Sequence, residues 1–216
     1  MSLTLYFHPL ASYCWKVLIA LYESETPFAT RQIDLTEPEE RAELERLWPV
    51  AKFPVLRDET RRQVVPESTI IIEYLALHYP GKARLLPADP DQARETRLRD
   101  RFYDNYVHEP MQRIVADRLR AKEQRDALGV EQAHAKFELS YAMIEAEMAT
   151  RTWAMGDEFT LADCSASPAL YYANRVHPFG PTHPNVARYL ARLMERPSFA
   201  RVLREAEPYF AMFPEG

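Results

Sequence analysis

The sequence predicts an α/β domain over residues 1–80, a linker over 81–90 and an all-α helical domain over 91–216. Three observations lead to this division. Strand patterns of period two alternate with helical patterns in the first part of the chain. Pro80-Gly81 and two further prolines then interrupt the pattern. Beyond them, apolar residues recur only at the three- and four-residue spacing of helices.

The first domain has the predicted element order β-α-β-α-β-β-α. Leu3 to Phe7 alternates like a strand, and Pro9 ends it. A helix follows from Ser12, which is a favourable N-cap residue before apolar positions at helical spacing. The later elements are a strand at 28–33, a helix at 37–46, short strands at 55–56 and 63–65, and a helix through 71–78.

The second domain is predicted to contain helices only. Leu98, Phe102 and Tyr106 indicate one long helix, which Pro110 should kink because proline removes a backbone donor. The next helix carries apolar residues at 137, 141, 144 and 148, and shorter helices lie near 161, 186 and 199.

Composition argues against several classes of protein. The net charge of −5 argues against a nucleic-acid-binding protein, which would usually have a basic face. No stretch approaches the roughly 18 apolar residues of a membrane span, and no basic, apolar leader opens the chain. The two cysteines, Cys14 and Cys164, lie far apart without neighbouring metal ligands, so neither a disulfide framework nor a metal site is indicated. We therefore expect a cytoplasmic protein that binds neither nucleic acid nor membrane.

The turn from His8 to Val17 resembles the opening of the cytosolic glutathione S-transferase family, in particular its serine-type theta-like and zeta-like classes. The resemblance implies that the first domain has a thioredoxin-like fold and binds glutathione as cosubstrate. In that family a Ser, Tyr or Cys stands near the start of the first helix. Free N–H groups and the helix dipole favour an anion there, and a thiolate is such an anion.

The residue that activates the thiol is not settled by this resemblance. Trp15-Lys16-Val17 is similar to the zeta-class Trp-Arg-Val, and on that alignment the usual serine falls at Ala11, which has no donor. We predict Ser12 as catalytic and glutathione-binding residue, while Ser12 could also simply cap the helix. Three alternatives are open: Tyr6, Tyr13 and Cys14, although Cys14 fits a packed helix residue as well.

The segment Ala51 to Leu56 matches the loop before the third strand of the family. The resemblance implies a cis Phe53-Pro54 bond and main-chain pairing of Phe53 with the cysteinyl part of glutathione. The resemblance also implies that Lys52 can pair with a glutathione carboxylate, although exposed lysines are more often only solvated.

Glu67-Ser68 is the most specific of these motifs. In the family such a pair binds the γ-glutamyl end of glutathione, with the acid taking the ammonium and the serine and helix amides taking the carboxylate. The same residues also form an ordinary helix cap. Their place shortly after Phe53-Pro54 favours the binding role.

Two features of the second domain carry further predictions. Thr160 and Asp163 should form a capping box, with Phe159 as hydrophobic staple and Cys164 buried. In this fold the long helix would face the cleft, which makes four of its residues candidates for a second-substrate pocket. These are Tyr103, Tyr106, Met111 and Ile114, with the aromatic tail Tyr209, Phe210 and Phe213 folding over them.

The predicted function is a glutathione transferase that directs the glutathione thiolate at a small hydrophobic electrophile, an activity associated with detoxification. One alternative is a non-catalytic relative that binds an apolar ligand or a protein partner. Another is a glutathione-dependent isomerase of the zeta type. The resemblance also implies a homodimer.

Overall fold

In a computed structural model that describes residues 2–214, the first part of the chain forms a four-stranded mixed sheet of order β2-β1-β3-β4. β1 runs parallel to β2 and antiparallel to β3, and β3 pairs antiparallel with β4. The strands are β1 Leu3–Phe7, β2 Ala29–Gln32, β3 Val55–Asp58 and β4 Gln63–Pro66, and the helices between and after them are α1 Ser12–Glu23, α2 Pro38–Leu47 and α3 Ser68–His78. The predicted order β-α-β-α-β-β-α is confirmed.

Helices form the remainder of the described chain. They are α4 Pro90–Phe102, α5 Glu109–Arg118, α6 Ala127–Met148, α7 Leu161–Val176, α8 Pro184–Glu195 and α9 Pro197–Ala206, with 3₁₀ turns at Lys122–Gln124 and Glu207–Met212. None of the helices among the described residues is both long and apolar enough to cross a membrane. The fold class predicted from the sequence is confirmed, whereas the domain limits at 80 and 90 stay a prediction.

The sheet separates a large core from a small one, because successive side chains of a strand point to opposite faces. Leu3 and Leu5 of β1 belong to the large core, which also contains the apolar side of α1 and much of the helical part. Tyr6 faces the other way and packs with Ile33 and Leu44 under α2.

The helix break near Pro110 is a π-helical turn, Tyr103–His108, between α4 and α5. Pro110 has no N–H to offer the carbonyl of Tyr106, four residues earlier. The hydroxyl of Ser140 on α6 donates to that carbonyl at 2.8 Å instead. The irregularity therefore precedes the proline, where the sequence predicted a kink, and it leaves Asp104 and His108 buried.

A buried ammonium group connects four helices. Lys16 on α1 is 1% exposed, and its Nζ lies 2.6 Å from Asp100 Oδ1 and 3.0 Å from Asp104 Oδ2. The same Nζ donates to Thr69 Oγ1 on α3 at 2.8 Å, and Thr69 donates in turn to Asp100. Ser165 on α7 also donates to Asp100. Every charge in this cluster has a partner of opposite sign.

The predicted capping box at the start of α7 is confirmed. Thr160 donates its N–H to Asp163 Oδ2 at 2.9 Å, and the Thr160 side chain accepts from the first turn of the helix. Tyr189 of α8 donates to the other carboxylate oxygen at 2.6 Å. Phe159 is buried beside the box, and Cys164 is fully buried as predicted.

Substituting Lys16→Met should lower the free energy of unfolding by about 3 to 5 kcal/mol, because it leaves Asp100 buried without its counter-charge and Asp104 with only the more distant Arg101. Lys136→Met is the matched control, since Lys136 pairs with Glu109 on the surface, and it should cost less than about 1 kcal/mol. Urea denaturation at fixed protein concentration measures both. Equal, small effects would show that the buried cluster does not stabilise the fold.

Candidate active site

Two adjoining cavities lie between the sheet domain and the helices α4 and α5. One has a volume of about 500 Å³ and the other about 450 Å³. They share four lining residues, Tyr13, Lys52, Phe53 and Gln112, and so form one cleft with two halves. Both volumes lie within the range usual for small-molecule sites.

The larger half is polar and carries charges of both signs. Lys52 and Arg101 bring positive charge, and Glu67 and Asp104 bring negative charge. Arg101 Nη1 lies 3.5 Å from Asp104 Oδ2. Such a lining suits a ligand with both an ammonium group and carboxylates.

The start of α3 forms one wall of the polar half. Glu67 has a φ of 70°. This left-handed backbone conformation is unfavourable for any residue other than glycine. The Glu67 side chain is exposed and makes no capping hydrogen bond, contrary to the simple cap interpretation of Glu67-Ser68. No side chain of the described residues caps α3. The first N–H groups of this helix are therefore free to donate hydrogen bonds to an anion bound beside Ser68.

The loop before β3 forms the floor between the two halves. Its Phe53-Pro54 peptide bond is cis, as the resemblance implied. The Phe53 ring stacks on His8 with ring centres 5.8 Å apart. Among the described residues, the N–H and C=O of Phe53 have no hydrogen-bond partner, so the backbone can pair with an extended ligand. Lys52 is exposed at the cleft.

Ser12 lies in the apolar half, immediately before Tyr13. It is the first residue of α1 and does not cap the helix, because the N-cap position belongs to Ala11. The capping role that the sequence allowed for Ser12 is therefore wrong. Ser12 is 6% exposed, and its Oγ forms a hydrogen bond with His108 Nε2.

His108 is the functional candidate that sequence reasoning missed. It lies in the π turn, 96 residues from Ser12, and is 2% exposed. Burial lowers the pKa of its imidazole to about 3, with a further contribution from the charge of Lys16, so the ring is neutral. The one sequence feature that could have drawn attention to His108 is the helix break predicted at the nearby Pro110.

Two of the three rivals of Ser12 lie outside the cleft. Tyr6 packs in the small core. Cys14 is fully buried, and burial raises the pKa of its thiol to about 12. Tyr13 lines both halves of the cleft, and burial raises the pKa of its hydroxyl well above the usual range, so the proton stays on. Tyr13 therefore lies where the two halves meet, and Ser12 lines the apolar half next to it in the chain.

The apolar half only partly matches the predicted second-substrate pocket. Met111 lines it. Tyr103 and Ile114 are instead buried in the large core, at 2% and 3% exposure, and Tyr106 is 54% exposed on the outside. The structure therefore places Tyr103, Tyr106 and Ile114 outside the lining of both cavities, and of the four predicted residues Met111 alone lies at the cleft.

The aromatic tail covers the cleft with one of its three predicted residues. Phe213 lines the apolar half and stacks on Tyr172, with ring centres 5.3 Å apart. Phe210 packs on Tyr171, and the Tyr209 hydroxyl donates to Gln32 at the end of β2. Other apolar residues of this half were not predicted: Leu10, Leu35, Val115, Tyr172, Met212 and Pro214.

The fold and the cleft together define a class: two-domain proteins with a thioredoxin-like domain, a helical domain and a site for a zwitterionic ligand beside an apolar pocket. Comparison with known proteins agrees. Models of the glutathione S-transferase N-terminal and C-terminal domains match residues 5–83 and 102–197. The chain therefore belongs to the glutathione S-transferase family.

Individual relatives cover nearly the whole chain. Glutathione S-transferase GstB of Escherichia coli is 28% identical over 87% of this chain and 91% of its own. A stringent starvation protein A homolog of Coxiella burnetii is 31% identical over 95% and 93%. A crystal structure of a Methylobacterium radiotolerans glutathione S-transferase in complex with glutathione sulfonate is 29% identical, with a TM-score of 0.80 over 99% of this chain and 95% of that one.

The two cysteines should not react with dithiobis(nitrobenzoate) in the native protein at pH 8. Both are fully buried, and burial raises the pKa of each thiol above its usual range. Absorbance of the released anion should report no reactive thiol in buffer and both in guanidinium chloride. Rapid modification of Cys14 in the native protein, located by mass spectrometry of the labelled peptides, would return it to the list of catalytic candidates.

Proposed function

We propose that this protein is a glutathione transferase that binds glutathione in the polar half of the cleft and a small hydrophobic electrophile in the apolar half. The observation that carries the proposal is the meeting of the two halves at Tyr13, Lys52 and Phe53, next to the Ser12 hydroxyl. A sulfur atom at that junction contacts both ligand sites.

The lining of the polar half supports glutathione as the ligand. The γ-glutamyl ammonium pairs with Glu67 and Asp104, and its carboxylate with Ser68 and the first amides of α3. The cysteinyl part pairs with the Phe53 backbone, next to Pro54, and the glycyl carboxylate with Lys52. The crystallised relative in complex with glutathione sulfonate supports glutathione as the ligand.

The start of α1 supplies the chemistry at sulfur. A free thiol has a pKa near ~8.5, so about 3% is thiolate at pH 7. Lowering that pKa by ~2 units requires roughly 2.7 kcal/mol. A hydroxyl donor from Ser12 and the uncapped amides after Ala11 together provide stabilisation of this size. The thiol proton is released to solvent, and the thiolate forms a carbon–sulfur bond with the bound electrophile. In a substitution the leaving group departs with its bonding electron pair, and in an addition the neighbouring carbon takes up a proton from water.

Substituting Ser12→Ala should raise the pKa of bound glutathione by about 1 to 2 units and lower kcat/KM by about 10- to 100-fold, because one donor to the thiolate is lost. Tyr13→Phe is the matched control at the same junction and should shift that pKa by less than ~0.5 unit. Ultraviolet absorption of the thiolate, followed during a pH titration of the glutathione complex, measures both. Calorimetry checks that glutathione still binds.

Other outcomes identify the alternatives. A large effect of Tyr13→Phe alone would make Tyr13 the donor. Glutathione binding without thiolate formation in the unsubstituted protein would favour a non-catalytic binding protein. Turnover in which glutathione is required but not consumed would identify a glutathione-dependent isomerase.

We also propose that the protein is a homodimer. Ile70 and Leu77 on α3 and Leu98 on α4 are more than half exposed, a pattern that marks an interaction surface. Glu73 lies on the same stripe of α3 and pairs with Arg97 of α4 at 2.7 Å, which joins the two helices into one face. This face spans both domains, as the family arrangement of N-terminal domain against helical domain requires.

Substituting Leu98→Asp should convert the dimer to a monomer, because it places a charge in the apolar contact. Leu128→Asp on α6 is the matched control, since Leu128 is 64% exposed on another helix, and it should leave the dimer intact. Light scattering after size-exclusion chromatography should give twice the chain mass of 25.2 kDa for the unsubstituted protein. A monomer at micromolar concentration would reject the proposal.

A further inference from the structure

We propose that His108 is a positioning residue. It does not contact the glutathione sulfur itself but holds the Ser12 hydroxyl so that the hydroxyl proton points to the glutathione thiolate. This inference rests on the proposed function. It is based on a buried hydrogen bond between two residues that lie 96 positions apart.

His108 is held in a single place by its surroundings. The π turn that carries it is fixed by the bond from Ser140 to the Tyr106 carbonyl. One side of the ring packs on Tyr13, with ring centres 4.1 Å apart. The imidazole is 2% exposed, so it does not exchange its partner Ser12 for water.

The two nitrogens of the neutral His108 ring are in different situations. Nε2 bonds to Ser12 Oγ, whereas Nδ1 is buried without a partner among the described residues. A neutral imidazole carries one proton. A buried N–H without an acceptor is rarer than an unpaired acceptor, so the proton belongs on Nε2. His108 therefore donates and Ser12 Oγ accepts.

This direction decides what Ser12 can offer to a ligand. Its oxygen is occupied by the His108 proton, and within residues 2–214 it has no other hydrogen-bond partner. The hydroxyl proton is thus available to the cleft that Ser12 lines. With the opposite tautomer, Ser12 would donate to His108 and turn its lone pairs toward the thiolate, which is repulsive. The bond from His108 also polarises the hydroxyl and strengthens it as a donor.

Three variants test this positioning role. His108→Gln keeps an N–H near the position of Nε2, His108→Met has similar size without a donor, and His108→Asn has an amide too short to reach Ser12. The readout is the pKa of bound glutathione from thiolate absorption, with circular dichroism to confirm folding. In His108→Gln the pKa of bound glutathione should stay within ~0.5 unit of its value in the unsubstituted protein. His108→Met and His108→Asn should raise that pKa by about 1 unit, which is a tenfold loss of thiolate at neutral pH.

A double-mutant cycle with Ser12→Ala separates positioning from packing. If His108 acts only through Ser12, His108→Met should cause no further pKa shift in the Ser12→Ala background. An equal shift in both backgrounds overturns the inference, because His108 would then act on sulfur independently. An unchanged pKa in His108→Met and His108→Asn also overturns it. If His108→Met does not fold, the cycle is run with His108→Asn.

The same titrations distinguish this inference from the proposed function. If the unsubstituted protein forms no thiolate, the proposed function fails and the positioning role fails with it. If the unsubstituted protein forms thiolate, and Ser12→Ala alone impairs it, the proposed function stands and only the role of His108 is rejected.

Discussion

The arrangement of the cleft depends on the burial of one ammonium group, that of Lys16. A charge taken out of water costs several kcal/mol unless it is paired and hydrogen-bonded. Lys16 meets that requirement only when α3 and α4 lie together against α1, because Thr69, Asp100 and Asp104 must all reach its Nζ. The ion cluster thereby fixes the positions of α3 and α4, which line the ligand site, relative to each other.

The same ion cluster reaches directly into the polar half of the cleft. Thr69 follows Ser68 at the start of α3, and Asp104 lines the cavity beside Arg101. Residues that stabilise the junction of the helices therefore also set the charge of the ligand site. A site built on such packed elements keeps its geometry better than one carried by loops.

The irregular helix between α4 and α5 serves the other half of the site. A regular helix through Pro110 would leave the Tyr106 carbonyl unpaired, and the hydroxyl of Ser140 removes that cost. The resulting π turn carries both Asp104 and His108, one toward Lys16 and the other toward Ser12. π turns of this kind are often found at functional sites.

The sequence by itself determined the features that depend on neighbouring residues. Strand alternation, helical periodicity and the Thr160–Asp163 capping box are local patterns, and they predicted the order of the elements and the cap of α7 correctly. The cis bond of Phe53-Pro54 was also predicted from a short run of residues, whereas the binding role of Glu67-Ser68 stays a prediction. Such interactions act over a few residues, so they leave a trace in sequence spacing.

Only the tertiary structure decided which distant residues meet. The pairing of Ser12 with His108 and of Lys16 with Asp104 has no spacing rule, because the partners belong to separate helices. Tyr103 is buried in the large core instead of lining the cleft, a result of packing that periodicity along the chain does not express. Packing across elements, rather than pattern along the chain, selects these contacts.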